Sequence, residues 1–200
     1  MLWWSLPIPY KIRIFMWLLA KNKILTKVKL QSKGWQGNTQ CHFCSGVEDV
    51  NHLFLLYPFV QKIWFWMGHS SYFYKDWTSI QDIINFASRL SKAHQTAFLV
   101  MFSAFCWTVW KIRNDRCFNA VTHHTFRTVI LLIISLLHYW TGILKKHTRE
   151  LIPYWLPYDV DAIPLQVWVP EDLHIVLYQG QGQELMVTPD PEEEDEAPTL

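Results

Sequence analysis

Residues 93–110 and 128–144 run for 18 and 17 positions without an Asp, Glu, Lys or Arg. Uncharged apolar runs of that length must become helices buried in a protein core or helices crossing a bilayer, which takes about 20 mostly apolar residues. Gln95, Thr96, Ser103, Ser135 and His138 interrupt them. We therefore read both as core helices, with two membrane spans as the alternative. Helical spacing extends the first over about 94–118 and the second over about 123–147, with Phe126, Ile130, Ile133, Leu137, Trp140 and Leu144 on one side.

The rest of the chain reads as shorter helices with local start and stop signals. Ile14 and Leu18, and Phe15 and Leu19, pair on the faces of a helix after Pro9. Thr26 is a candidate N-cap for a helix through Leu30, with Gly34 as its stop. Pro58 suits the first turn of a helix that Gly68 ends. Ser79 and Asp82 resemble a capping box ahead of Ile80, Ile83, Ile84, Ala87 and Leu90. Strand-prone runs on either side of Pro170-Glu171-Asp172 leave room for a small hairpin. The fold class predicted is mainly α.

Charge is distributed unevenly along the chain. All 18 Lys and Arg fall in residues 1–149 with five acids, a balance of +13. Residues 150–200 hold 12 acids and no Lys or Arg. A basic body with a disordered acidic tail over 187–200 is the expectation. The N-terminus lacks the apolar core of a secretory signal, so the nucleus or cytoplasm is the expected compartment.

Cys41 and Cys44 are two residues apart, and His52 follows. Two thiolates at that spacing can reach one zinc ion from a tight turn, and an imidazole can return as a third ligand. On these three residues alone, a metal site and a pair of ordinary core thiols stand level. A thioredoxin-like redox pair is a poor fit, because no strand–CxxC–helix context surrounds the cysteines.

Trp3 or Trp4, IPYKIRIFMWLL at 8–19, LTKVKLQSKG at 25–34, CHFC at 41–44, Glu48 with HLFL at 52–55, and PFVQKIWFW at 58–66 follow one another in order. This set resembles the zinc-binding domain near the C-terminus of reverse transcriptases from plant LINE-type, non-LTR retrotransposons. The resemblance covers residues 3–68 and extends more weakly to WTVWKIRNDRCF at 107–118, similar to a Trp–Lys–Arg–Asn helix in such polyproteins. It implies a zinc-binding module over 3–68, while helical spacing and composition give a helical region over 78–149, an irregular segment with room for a hairpin over 150–186 and the tail over 187–200. It also implies a non-catalytic piece of the polyprotein. No polymerase Asp pair in a strand–turn context and no endonuclease segment is seen, and no small-molecule substrate is expected.

The same resemblance makes Cys41, Cys44 and His52 three of four zinc ligands and puts Tyr57 where a Cys belongs. A phenol titrates near 10 against about 8.5 for a thiol, so phenolate at neutral pH costs about 4 kcal/mol. Tyr57 therefore reads as a packed aromatic and the zinc site as weakened. Water, Asp49, His42 or His69 remain candidates for the fourth position. An open catalytic centre is the minor reading, since no general base can be named. His123 and His124 read as a surface pair.

Seven basic residues, including Lys11, Arg13, Lys23, Lys27 and Lys29, precede the first acid, Glu48. Clustered cations attract phosphate backbones, and Trp17 and Trp35 could stack on unpaired bases. RNA or DNA, bound without sequence preference, is the partner these residues and the resemblance suggest. A solvated helix face is the plainer reading. A protein-interaction module without metal is the remaining alternative.

Overall fold

The computed structural model describes residues 2–69, 77–118, 124–152 and the pairs 178–179 and 183–184. The expected hairpin turn at 170–172, the acidic tail and His123 lie outside the described residues, as does the side chain of His69.

Most helices start and stop where local chemistry directs. Helix α1 (Tyr10–Ala20) buries Ile12, Phe15, Met16 and Leu19. It ends with Asn22 at φ 51°, the Asn22 amide donating to Leu19 O and the Lys23 amide to Leu18 O. Helix α2 (Lys27–Gln31) begins at Thr26, whose side chain accepts from the Lys29 amide. Its end repeats the device, with Gly34 at φ 93° donating to Gln31 O and Trp35 donating to Leu30 O. Both are Schellman closures, which need a residue tolerant of the left-handed region.

The chain then reaches a π-type turn, His52–Leu56, closed by the Tyr57 amide on His52 O at 2.8 Å. Tyr57 in turn accepts the first helical bond of α3 (Pro58–His69), with Pro58 in its first turn as expected. The indole of Trp64 donates to Phe54 O at 2.9 Å and fixes α3 on the turn. Helix α4 (Ile80–Ser88) carries the full capping box: Asp82 N donates to Ser79 Oγ at 3.2 Å and Ser79 N to Asp82 Oδ2 at 3.1 Å. Such caps contribute about 1 kcal/mol. The Ile80 amide also donates to Asn51 Oδ1, tying the start of α4 to the π turn.

Helix α5 (Lys92–Phe118) is the central element. It packs against α1, α4, the π turn and the two helices that follow it. Residues 97–106 are buried on every side of the helix, the pattern of a core helix with no solvated face. Trp64 meets Phe105 at 4.7 Å, and Phe98, Phe102 and Phe105 form a run of stacked rings. By length and composition α5 could cross a membrane, but 72% of its most apolar 18-residue window is buried inside the fold.

The second long run divides. Helix α6 (Phe126–Thr141) stops before Gly142, and α7 (Lys146–Arg149) restarts after a short bend. The single helix expected over 123–147 is thus two. Glycine weakens a helix by about 1 kcal/mol relative to alanine, and its position here coincides with the break. All six residues assigned to the inner side of that run are nevertheless buried, Leu144 included.

The chain divides into two units, Met1–Leu165 and Gln166–Leu200. The first holds both the cysteine segment and the helices after it. In the second, strands β1 (Tyr178–Gln179) and β2 (Gln183–Glu184) pair antiparallel, with Tyr178 opposite Glu184. This ladder lies C-terminal to the hairpin position expected from the sequence.

One ion pair joins distant parts of the first unit. Arg113 of α5 donates through Nη2 to Glu48 Oε1 at 2.6 Å and through Nε at 3.1 Å. Their side chains are 4% and 0% exposed. The Lys27 amide donates to the same carboxylate oxygen at 3.0 Å, and the Val28 amide to the Glu48 carbonyl at 3.2 Å. Glu48 thus also satisfies the first amides of α2, which have no partner within the helix. The guanidinium lies 5.1 Å from the Trp110 ring centroid.

Removing one member of a buried pair strands the other charge. Arg113→Met should therefore lower unfolding free energy by about 3–5 kcal/mol, and the double variant Glu48→Gln/Arg113→Met should recover most of that loss. Urea unfolding of the three proteins measures both. A double variant as unstable as the single one would contradict charge compensation as the source.

Candidate metal centre

The cysteine segment folds as a short looped hairpin. Glu48 N donates to Thr39 O at 2.9 Å, Gln40 bridges Val47, and Cys41 N donates to Gly46 O at 2.7 Å. Asn38 Oδ1 accepts from the Gln40 amide at 2.8 Å and shapes the entry. The Cys41 sulfur accepts from the Phe43 amide at 3.4 Å. His52, the first residue of the π turn, comes back to this loop. Its amide donates to Asp49 Oδ1 at 2.7 Å, and its Nε2 lies 3.2 Å from Cys44 Sγ.

The ligand atoms of Cys41, Cys44 and His52 all lie within 4.8 Å of one another. Around a tetrahedral zinc ion with Zn–S of about 2.3 Å and Zn–N of about 2.0–2.1 Å, such atoms stand about 3.5–3.8 Å apart. Cys44 Sγ and His52 Nε2, at 3.2 Å, already stand just inside that spacing, so a small adjustment of the three would reach it. Gly46 supplies a second sign of fit, because a Cβ there would stand 2.4 Å from Cε1 of His52. The loop needs glycine for the imidazole to approach. Burial lowers the His52 pKa, favouring the neutral ring that ligates metal. Burial also pushes the Cys41 thiol up to about 12, with the charges of Cys44 and Glu48 adding to it. A metal ion has to displace that proton.

Tyr57 sits beside the three ligands as a packed ring. It is buried, stacks on Phe43 at 5.3 Å and on Phe59 at 6.0 Å, and lies 6.2 Å from the His52 ring. Burial pushes its phenol above the ordinary value, and the neighbouring cysteine charges push in the same direction. Phenolate ligation is therefore harder here than in water. Asp49 and His42 fall outside the three-residue cluster. Asp49 is engaged with the His52 amide, and His42 is exposed. Among the described His, Cys, Asp and Glu residues, no fourth ligand joins the group.

The five basic residues singled out in the sequence fall in different settings. Lys11 is exposed, its ammonium 5.7 Å from the Trp107 ring centroid. Lys23 is exposed and Lys29 half-buried. Arg13 is spent on the fold, donating to Ile8 O at 2.9 Å and Trp4 O at 3.1 Å. Lys27 departs from the expected surface: it is 8% exposed, and its ammonium donates to the Gln40 carbonyl. It braces the cysteine loop at its base. Trp35 is 40% exposed and Trp17 half-buried. His124 is half-buried rather than on an open surface.

Glu48 and Arg113 received no role from the sequence. The signal for them was that Glu48 is the first acid in a long basic stretch, where an isolated carboxylate has cations to choose from.

The Cys-x2-Cys loop and the returning histidine form a three-residue cluster compatible with a zinc ion. Residues 1–64 match the family described as zinc-binding in reverse transcriptase. Neither the curated proteins nor the solved structures contain a match to the chain. The matched segment contains all three ligands and Tyr57, and ends before α5.

Tyr57→Cys should tighten zinc binding on the order of 100-fold, a fraction of the ~10–16 kcal/mol a complete structural site supplies. Gly46→Ala should weaken it by displacing the His52 ring. Competition against a chromophoric chelator reads both, and equal affinity in Tyr57→Cys and the parent would show that the phenol already completes the site.

Proposed function

We propose that this chain carries the zinc-binding module of a LINE-type, non-LTR retrotransposon reverse transcriptase, of the plant kind, in a weakened three-ligand form, and that it acts by binding rather than catalysis. The observation that carries the reading is the convergence of Cys41, Cys44 and His52 to within 4.8 Å inside the segment that matches the family. When bound, zinc would supply a structural cross-link between the cysteine loop and the π turn. The chain's own residues do the remaining work: Gly46 admits the imidazole, Asp49 fixes its backbone, and Phe43 and Phe59 hold the Tyr57 ring in its stack.

Non-specific contact with RNA or DNA is the partner interaction we assign to this module. Exposed Lys11, Lys21, Lys23 and Lys33 and partly exposed Trp35 support it. Ammonium groups neutralise phosphates whatever the sequence, and an open indole offers a face for stacking. None of these groups forms the planar, bidentate arrangement that reads base edges.

Metal content of the purified protein and fluorescence anisotropy across a salt series test the two halves. About one zinc per chain is expected, with binding of single-stranded RNA and duplex DNA that weakens steeply with salt. Replacing Lys11, Lys23 and Lys29 with Gln should reduce the slope by about 0.7–0.9 for each phosphate that is no longer neutralised. Lys27→Gln should instead lower stability, by about 1–3 kcal/mol for a missing buried partner, and leave the slope unchanged. Absence of zinc overturns the metal half. Absence of binding at low salt overturns the nucleic-acid half and leaves an interaction module using the exposed Leu132, Tyr139 and Ile143 of α6 and its C-terminal end.

A further inference from the structure

We propose that α5 is a working part of the metal module: Glu48 and Arg113 are positioning residues for the Cys41–Cys44–His52 site, so that docking of α5 and binding of metal favour one another. The inference rests on the metal reading above and extends the module past the segment that matches the family.

Three contacts lead from α5 to the ligands. At the base of the cysteine loop, Arg113 holds Glu48, and Glu48 N closes the loop's stalk on Thr39 O. At the tip, Arg116 lies 5.9 Å from the ring centroid of Phe43, one of the two residues between the cysteines and the one that stacks on Tyr57. At the histidine side, Phe54 of the π turn packs on Phe15, which packs on Trp107 and Trp110 of α5. One helix is therefore linked to both ligand-bearing segments, through Phe15 of α1 on the histidine side. The two segments also meet directly, with Cys44 Sγ 3.2 Å from His52 Nε2, Asp49 Oδ1 accepting from the His52 amide and Phe43 stacked on Tyr57. To that direct register α5 adds an outer support through Glu48. A site with three protein ligands has no fourth to hold it closed, so this outer support carries more of the geometry than it would in a four-ligand site. By linkage, any factor by which docked α5 raises metal affinity is the factor by which metal raises docking.

Two measurements test the proposal. In the first, amide hydrogen exchange is followed in the full-length protein loaded with zinc and then stripped with a chelator. Stripping should lower protection in 39–57 and in 107–118 while leaving 126–141 of α6 less affected. Protection that falls in 39–57 alone, or falls equally in α5 and α6, overturns the coupling. The second uses Glu48→Gln/Arg113→Met, which carries no stranded charge. Its zinc affinity should fall on the order of 10-fold, as when outer-shell support is removed from other metal sites, with urea unfolding of the stripped protein close to the parent. Unchanged affinity in that variant overturns the positioning role. Failure of the metal reading gives a different result, since a parent that binds no zinc shows the same exchange in 39–57 before and after the chelator, and the proposal then falls with it.

Discussion

A carboxylate with no solvent exposure has to be answered by a cation, and Arg113 answers Glu48 from beyond the end of the matched segment. Moving either charge out of water costs several kcal/mol after relaxation, so neither is tolerated there without the other. Glu48 concentrates its side-chain bonds on Oε1, and Oε2 is buried without a hydrogen-bond partner. One carboxylate oxygen takes Nε and Nη2 of Arg113 and the Lys27 amide, and its main chain takes Thr39 and Val28. The start of α2, the stalk of the cysteine loop and the C-terminal third of α5 meet on this residue. The indole of Trp110, which covers the guanidinium, also joins the aromatic cluster of Phe15, Phe54 and Trp107.

In the candidate metal region an aromatic ring stands where the resemblance expects a fourth ligand. The ring of Tyr57 fills volume by stacking between Phe43 and Phe59 beside the cysteines. The apolar packing that stabilises the ring also raises the cost of ionising it. Shape is thus preserved by the same surroundings that disfavour coordination.

Local signals made much of the fold legible. Caps at Thr26 and Ser79, the stop at Gly34 and the start at Pro58 depend on neighbours within a few residues, and each stands where the sequence placed it. The inner face of α6 was equally plain, because a 3.6-residue period needs no partner to be read. What escaped depends on distant chain. Lys27 looks like a surface cation until Gln40 and Glu48, 13 and 21 residues away, fold over it. The π turn exists because the Tyr57 amide closes on His52 O, a registration no short pattern announces. Glycine at 142 stands in plain sight in the sequence, and the helix breaks there although the apolar run continues past it. At the candidate site, the grouping of Cys41, Cys44 and His52 was legible from spacing and resemblance, whereas the contacts that reach it from α5 were not.

The sequence separation of Glu48 and Arg113 is 65 residues, and this sets an order of events during synthesis. At roughly 5–20 residues per second, Arg113 is made several seconds to over ten seconds after Glu48. Throughout that interval the nascent chain has both cysteines, the histidine and the carboxylate, but not the guanidinium that balances it. The growing protein therefore passes through a stage in which the carboxylate at the base of the loop must stay hydrated, and its packing becomes dry only once the end of α5 has been translated.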